Sequence, residues 1–318
     1  MSERIFSLLA FRKGARIVNY GSNSTDCFYV IHSGNVRLSC DIEIVGGRNT
    51  VILGPGNFFS VESGLTGRTN LESAVAESDA AIISVRRNKF VDFIREYQKN
   101  ALKIIQYLSA RMRFLDNLLT GRKNSVVQKS PGHLYDIAEY YNLQKQYKAA
   151  YYVYNRFLEQ IPDGEKAEHA KQMIKKLEKY AEGVRFKFSK KNIYRFYPKG
   201  AMLFAEGECG NELFVIREGV VRITKITDSQ EKEISILQTG DIMGEMSLIE
   251  GLPRSTSAIA IEDCDVLAVE QDDFPQLIKS DPAVAMRIGT ALSDRIWITH
   301  SKIINSGLTK TPLLETET

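Results

Sequence analysis

The sequence predicts an α+β protein in which two antiparallel β-roll (jelly-roll-like) domains with flanking helices are joined by an all-α helical spacer. Three observations favour this fold: one stretch of the chain is repeated, glycines punctuate short alternating strands in both copies, and the middle of the chain lacks strand signals. We expect domains at residues 1–121, 122–188 and 189–306, followed by a flexible tail at 307–318.

The repeat is visible in the residue order. Residues 29–38 (YVIHSGNVRL) are matched by residues 214–223 (FVIREGVVRI) at an offset of 185, and Gly21 is matched by Gly207 at an offset of 186. Self-similarity at a nearly constant offset indicates one structural unit present twice. The chain therefore carries two copies of one domain.

Short alternating apolar runs bounded by glycines are typical of antiparallel strands in a roll or sandwich. They lie at 28–31, 35–40, 51–53 and 80–85 in the first copy, and at 213–216, 220–224, 233–237 and 265–269 in the second. Each copy ends in a stretch with apolar residues at helical spacing, 89–120 and 272–305, which predicts helices there.

The spacer between the copies is rich in alanine, tyrosine, lysine and glutamate and carries nine more basic than acidic residues between Arg122 and Lys199. Its pattern predicts two antiparallel helices, the second ended by Pro162, and a third helix over 165–180. The segment resembles tetratricopeptide repeats, of which about one and a half units are present. A rigid spacer and a peptide receptor are the two interpretations, and the basic surplus is either a solvated face or a surface for an acidic partner or RNA.

Composition excludes several classes of protein. With 318 residues, 43% hydrophobic and 25% charged, the chain has the values of a globular protein with a buried core. Its four cysteines and four histidines have no metal-ligand, disulfide-framework or catalytic spacing, and a net charge of +3 is too small to imply nucleic acid or lipid. No apolar run is long enough for a membrane helix. We expect a cytoplasmic protein that is not an enzyme, with no metal, no cofactor and no membrane partner.

The segment that carries chemistry is 242–258. Gly244 lets the backbone approach a ligand, and the residues that follow can form a helical turn whose amides point at an anion. Arg254 can add a forked cation to the same anion, and Glu245 can accept from sugar hydroxyls. These residues predict a site for a phosphate and an adjacent ribose; the alternative is a buried Glu245–Arg254 pair that holds a loop without ligand.

This segment resembles the phosphate-binding cassette of the cyclic nucleotide-binding domain family, which includes catabolite-activator-type regulators and regulatory subunits of cyclic-AMP-dependent protein kinase. The matching residues are Gly244, Glu245, Ser247, Leu248, Pro253, Arg254, Ser255 and Thr256. The resemblance implies that Arg254 and the amides near Met246 to Leu248 bind the cyclic phosphate, and that Glu245 binds the ribose 2′-hydroxyl. It covers both rolls and leaves out the spacer.

The first copy departs from this pattern. At an offset of 184 it has Ser60, Val61 and Asn70 where the second copy has Gly244, Glu245 and Arg254. Without the acceptor and the cation, we expect a degenerate structural or dimerising module. The alternative is a register-shifted site that uses Glu62 and Arg68, since a slip of one residue turns a side chain to the opposite face.

The base is harder to predict. Ser255 follows the arginine, and in this family serine there is compatible with cyclic GMP and with the cyclic AMP of bacterial activators. The last helix resembles the hinge helix of those activators if Leu292–Ser293 is matched to their Leu-Ser pair, which places Thr299 and His300 where the base lies. Cyclic AMP is therefore the expected ligand and cyclic GMP the alternative; Thr299 and His300 are otherwise polar helix-surface residues.

The last helix also predicts a homodimer. A stripe at steps of four and three residues resembles the seam of a short coiled coil, and consists of Ala285, Gly289, Leu292, Ile296, Thr299 and Ile303. The alternative is that this stripe packs on the chain's own β-roll.

These expectations define a cytoplasmic cyclic-nucleotide sensor that relays binding in the second domain through hinge helices to an unidentified protein partner. The alternatives are a ligand-free interaction scaffold and a regulatory subunit of a separate kinase or transcription effector. We expect no direct binding of DNA, because residues 306–318 do not read as a helix-turn-helix.

Overall fold

In the computed structural model, the chain is described over residues 5–40, 42, 49–119, 132–184, 193–227 and 230–306. It divides into two compact units. The first unit comprises Met1–Lys123 together with Pro275–Thr318, and the second unit comprises Asn124–Phe274. The predicted tail at 307–318 lies outside the described residues.

The first unit contains a roll of eight strands, which we call the first roll. Its strands are β1 (Phe6–Phe11), β2 (Arg16–Val18), β3 (Cys27–Ser33), β4 (Val36–Ser39), β5 (Thr50–Leu53), β6 (Phe58–Phe59), β7 (Ser73–Ala76) and β8 (Ala80–Arg86). They form two four-stranded antiparallel sheets, in the orders β1-β8-β3-β6 and β2-β7-β4-β5. Apolar side chains that alternate along these strands, among them Ile31, Leu38 and Ile82, fill the core of the roll.

The second unit contains the second roll. Its strands are β9 (Tyr194–Tyr197), β10 (Met202–Phe204), β11 (Glu212–Glu218), β12 (Val221–Thr227), β13 (Gln230–Leu237), β14 (Ile242–Met243), β15 (Ser257–Ala260) and β16 (Cys264–Glu270). Their sheet orders, β14-β11-β16-β9 and β10-β15-β12-β13, repeat those of the first roll strand for strand. The predicted repeat and the predicted fold class are therefore confirmed.

The two rolls also share their irregularities. The register shifts between Ile31 and Ser33 on β3, and it shifts between Ile216 and Glu218 on β11. A bulge bends a strand and increases its twist, so a bulge at one place in both copies gives both rolls the same curvature.

Five helices complete the first unit. They are α1 (Val61–Thr66), α2 (Phe90–Glu96), α3 (Gln98–Leu119), α8 (Phe274–Ser280) and α9 (Pro282–Asn305), of which α8 starts at the last residue of the second unit. Asp281 caps α9 by accepting from the Ala283 amide, and Pro282 supplies the fixed φ that suits a first helical position. The sequence predicted each terminal stretch as helical; the structure breaks the first at Tyr97 and the second at Asp281.

Helix α9 packs against α1, α2 and α3 inside the first unit. Its apolar stripe is buried there: Ala285, Leu292, Ile296 and Ile303 are each no more than 1% exposed. The predicted coiled-coil seam is therefore wrong, because the chain itself covers those side chains. Helix α9 belongs to the compact unit of the first roll, and the predicted domain boundary at 306 stays a prediction.

The helical segment of the second unit consists of α4 (Gly132–Leu143), α5 (Tyr147–Gln160) and α6 (Glu165–Leu177). Tyr135, near the start of α4, contacts Phe157, near the end of α5, so the two helices run antiparallel as predicted. The buried side chains of the segment form one hydrophobic core with Met202, Ala205 and Ile259 of the second roll. The helical segment and the second roll therefore share one compact unit.

Candidate functional site

The second cassette, residues 244–256, begins where β14 ends. Gly244 adopts φ 80°, a left-handed conformation that favours glycine, and α7 (Glu245–Glu250) follows it. Gly251 ends the helix in the same conformation, and its amide donates to the Ser247 carbonyl. Glycines on both sides therefore isolate one short helical turn, whose first amides lack partners within the helix.

Arg254 is folded into the roll beside this turn. Its Nη1 donates to the Gly244 carbonyl and its Nη2 to the Glu212 carbonyl, both at 2.7 Å. The guanidinium carbon lies 4.5 Å from the ring centre of Phe204. The third guanidinium nitrogen, Nε, is buried and has no hydrogen-bond partner within the described part of the chain. Arg254 is thus held rigidly while one charged donor is left for another acceptor.

Two glycines make room for the guanidinium. A Cβ atom built on Gly210 would lie 2.3 Å from Arg254 Nε, and one built on Gly244 would lie 2.5 Å from Arg254 Nη1. Any side chain at either position would displace the guanidinium, because real Cβ atoms do not approach heavy atoms this closely. Gly210 is thus a residue of the site that sequence reasoning missed.

Burial lowers the pKa of Arg254, and the carboxylates of Glu208, Glu212 and Glu245 oppose this effect. Arginine nevertheless stays charged in proteins. Taking a cation out of water is costly unless it is paired, so an anion at Nε would lower the electrostatic cost of the buried guanidinium.

The other predicted cassette residues lie on the same helical turn and in the segment that leads into β15. Glu245, Met246, Ser247 and Leu248 on α7 are buried, as is Thr256, whereas Ser255 is half-buried. The structure therefore brings together Gly244 to Leu248 with Arg254 to Thr256.

A pocket that is partly open to solvent lies against Arg254. Its polar lining comes from the roll and from helix α5, and includes Tyr152, Arg156, Arg195, Glu208, Glu212 and Arg254. Sequence reasoning missed Tyr152 and Arg156, since they lie about a hundred residues from Arg254 in the chain. The signal for them was weak: a tyrosine and an arginine one helical turn apart in a segment rich in both residue types.

Thr299 and His300, the residues predicted to lie near the base, belong to helix α9. Both are buried on α9 in the first unit, where His300 Nε2 lies 3.7 Å from Cys40 Sγ and the imidazole packs against Tyr20. Burial lowers the pKa of His300 to about 4, and the nearby Arg111 acts in the same direction. These contacts lie within the first unit, and the predicted contact of Thr299 and His300 with the base stays a prediction.

The first cassette, residues 60–72, repeats the backbone of the second. Ser60 adopts the left-handed φ of 53° before α1, as Gly244 does before α7, and Gly67 ends α1 as Gly251 ends α7. The side chain of Asn70, which stands at the position of Arg254, accepts from Ser63 Oγ and donates to Ser22. Asn70 therefore closes the loop with neutral hydrogen bonds.

Charge in the first cassette is neutralised by the chain itself. Arg111 of α3 lies 3.1 Å from a Glu62 carboxylate oxygen and 3.2 Å from one of Glu72, and both carboxylates are buried. Burial raises the pKa of Glu62, and Arg111 opposes the shift. Arg68 pairs with Asp294 and lies over the Trp297 ring on α9. Glu62 and Arg68 therefore have different partners. They do not form the pair that a register-shifted site would use.

Within the described residues, no group of three or more His, Cys, Asp or Glu side chains is arranged to hold a metal ion. Among the described helices, none has both the length and the apolar character that a membrane crossing requires.

The comparisons with known proteins agree with this geometry. The model of the cyclic nucleotide-binding domain family matches residues 8–97 and 194–281, more than half of the chain. The cyclic AMP receptor protein of Thermus thermophilus is 36% identical over 103 residues, 32% of this chain and 48% of that protein. The cAMP-activated global transcriptional regulator CRP of Salmonella typhimurium is 34% identical over 112 residues, 34% of this chain and 53% of that protein. The chain thus spans about half the length of these curated relatives.

Two solved structures are among those similar to this chain. The catabolite activator protein of Thermus thermophilus is 32% identical, with a TM-score of 0.34 over 36% of this chain and 54% of that one. The regulatory domain of Toxoplasma gondii PKA, crystallised with cAMP, is 18% identical, with a TM-score of 0.27 over 94% of this chain and 86% of that one.

Proposed function

Since the chain belongs to the cyclic nucleotide-binding domain family, we propose that its second roll binds one cyclic nucleotide and that the protein acts as a sensor of that nucleotide. The observation that carries the proposal is Arg254: its two terminal nitrogens are held by carbonyls, and its buried Nε has no partner within the described residues. A phosphate oxygen is the acceptor that suits a buried arginine donor best.

The turn after Gly244 supports the same ligand. Amides of Met246 to Leu248 would donate to the phosphate, and the Glu245 carboxylate would accept from the ribose 2′-hydroxyl. Arg254 and Glu245 together match a negatively charged ring phosphate fused to a sugar. Because the first cassette has Asn70 and Val61 at these positions, we propose a single site per chain.

We propose cyclic AMP as the ligand because the curated relatives are named for cyclic AMP. Cyclic GMP is the alternative, which Ser255 allows. Thr299 and His300, which the likeness to a hinge helix places near the base, remain predicted contacts.

The protein is proposed to be regulatory rather than catalytic, to act in the cytoplasm and to pass its signal to another protein. Four cysteines without a disulfide support a reducing compartment. A homodimer remains a prediction, and sedimentation velocity with and without nucleotide tests it.

Titration calorimetry of the full chain with cyclic AMP, cyclic GMP and linear 5′-AMP tests the proposal. We expect heat from both cyclic nucleotides, tighter binding of cyclic AMP, and much weaker binding of 5′-AMP, whose open phosphate does not fit the turn. Tighter binding of cyclic GMP would overturn the choice of base. Binding of neither cyclic nucleotide would overturn the sensor and favour the ligand-free scaffold.

A further inference from the structure

The loop that carries Arg254 is anchored by the helical segment. The Tyr152 hydroxyl of α5 lies 3.0 and 3.1 Å from the two Glu208 carboxylate oxygens and 3.1 Å from the Leu203 carbonyl oxygen. Arg156, one turn later on α5, donates from Nε to the Tyr152 hydroxyl and places Nη2 3.5 Å from Glu208. Two side chains of one helix therefore converge on a single buried carboxylate of the roll.

Glu208 belongs to the wall on which Arg254 rests. The Arg254 amide donates to the Glu208 carbonyl at 2.9 Å, and the Gly207 amide donates to the Arg254 carbonyl at 2.9 Å. Gly210 lies directly against the guanidinium, and the Glu212 carbonyl accepts from Nη2. Loop 205–212 thus contacts Arg254 along its backbone and around its charged group.

The carboxylate of Glu208 is a buried charge that needs these partners. It is 3% exposed, and it also accepts from the Ala205 amide at 3.0 Å. Burial raises the pKa of Glu208, and Arg156 and Arg254 oppose the shift. Burial also raises the pKa of Tyr152, so its hydroxyl stays protonated and able to donate. Loss of the Tyr152 hydroxyl would leave the buried Glu208 carboxylate short of a donor.

We propose that Tyr152 is a positioning residue of the nucleotide site: through Glu208 it holds loop 205–212, and thereby Arg254, in the geometry that accepts the cyclic phosphate. The inference rests on the proposed function. It also gives the helical segment a role, because coupling between two sites is reciprocal. A nucleotide that fixes Arg254 will stabilise loop 205–212 and, through Glu208, helix α5.

The chain supplies a matched control on the same helix. Tyr154 is buried like Tyr152, and its hydroxyl also donates to a glutamate, but that glutamate is Glu139 of α4. Tyr152→Phe and Tyr154→Phe therefore remove a hydroxyl from the same helix. Tyr152→Phe loses a hydrogen bond to the second roll, whereas Tyr154→Phe loses one within the helical segment.

The experiment combines calorimetry with hydrogen exchange on full-length wild type and both variants, with cyclic AMP and cyclic GMP as ligands. We expect Tyr152→Phe to weaken nucleotide binding about threefold to thirtyfold, the range found for residues that act through a coupled network. Tyr154→Phe should bind as wild type does. Saturating nucleotide should slow amide exchange over Tyr147–Gln160 in wild type and Tyr154→Phe, and this protection should be lost in Tyr152→Phe.

Glu208→Gln keeps the test decisive if Tyr152→Phe does not fold, because it retains the shape of the side chain and removes its charge. It should weaken binding and remove the protection of α5 in the same way. Equal affinities and equal protection in Tyr152→Phe and Tyr154→Phe would overturn the inference while leaving the sensor intact. Wild type that binds neither nucleotide would instead overturn the proposed function.

Discussion

The two cassettes have the same backbone conformation but differ in how their buried charged groups are paired. In both, the loop between the second and third strands of the roll pairs with the position of the arginine: Gly21 and Ser22 bond to Asn70 as Gly207 and Glu208 bond to Arg254. In the first cassette, Arg111 of the same unit pairs with the buried carboxylates of Glu62 and Glu72, although Glu62 Oε1 accepts no hydrogen bond within the described residues. The second leaves a buried guanidinium nitrogen without a partner in the described residues. A common scaffold thus becomes either a structural element or a ligand site according to a few side chains.

The largest effect, a loss of stability, is expected when the cation of the charge cluster in the first cassette is removed. Arg111→Met leaves Glu62 and Glu72 buried without their cation, which should destabilise the first unit by about 3 to 5 kcal/mol. Urea unfolding followed by the fluorescence of Trp297, the single tryptophan, reports on this unit because Trp297 lies on α9.

The control for Arg111→Met is Arg37→Met, which breaks a solvent-exposed pair with Glu77 and should cost less than about 1 kcal/mol. Similar unfolding midpoints for the two variants would contradict the difference between a buried and an exposed pair. Nucleotide affinity should be unchanged in both variants.

Removal of the second cassette's cation should act on binding instead. Arg254→Ala deletes a charge-assisted bond to the phosphate, which corresponds to roughly 2 to 4 kcal/mol or about 30- to 1,000-fold in affinity. Asn70→Ala, at the equivalent position, should leave affinity nearly unchanged. Calorimetry with cyclic AMP compares them, and a loss of affinity in Asn70→Ala that approaches that of Arg254→Ala would give the first cassette a ligand role.

The first unit should show a pH dependence of stability that arises from His300. The pKa of His300 is about 4 in the folded chain, below its usual value of about 6.5. The unfolded chain therefore takes up a proton first as the pH falls, and protonation favours unfolding. Stability from this group is fully present above about pH 6.5 and should fall by about 2 to 3 kcal/mol as the pH approaches 4.

His300→Gln should flatten that decline in unfolding midpoints measured between pH 7 and pH 4. His32→Gln, in which an exposed ring on β3 is replaced, serves as the matched control and should leave the decline in place. If the decline persists unchanged in His300→Gln, another buried group causes it.

The smallest effect concerns the left-handed residue that opens each cassette. Ser60 has a positive φ and a buried hydroxyl without a partner in the described residues, at the position where the second cassette has glycine. Ser60→Gly relieves about 1 to 2 kcal/mol of backbone strain and costs about 0.5 to 1 in chain entropy, so it should stabilise the first unit by about 0.5 to 1 kcal/mol.

Lys145→Gly is the control for Ser60→Gly, because Lys145 also has a positive φ but lies in the second unit, where Trp297 does not report. A lower unfolding midpoint in Ser60→Gly would show that the serine is favourable there.

The sequence was sufficient for features that depend on local pattern. The repeat, the long strands of both rolls and the helices of the middle segment follow from alternation, glycine placement and helical spacing, and the structure confirms them. Arg254 was found because its spacing from Gly244 matches a family motif. The structure adds that Gly244, by having no Cβ atom, leaves the space that the Arg254 guanidinium occupies.

Features that depend on which surfaces meet were not predictable in this way. The apolar stripe of α9 shows that the helix is covered, yet helical spacing carries no information on which surface covers it, so the predicted coiled-coil seam was wrong. The Tyr152–Glu208 contact joins residues 56 positions apart and has no motif. The pattern of a single sequence reveals the repeat period of a helix or a strand. It does not reveal which distant residues contact that element.

The central claim is that the second cassette binds a cyclic nucleotide and the first does not. The most direct measurement is the number of cyclic AMP molecules bound per chain at saturation, by native mass spectrometry on wild type and Arg254→Ala. We expect one cyclic AMP molecule per wild-type chain, and none bound to Arg254→Ala at concentrations that saturate the wild type. Two nucleotides per wild-type chain, or one that survives in Arg254→Ala, would contradict it.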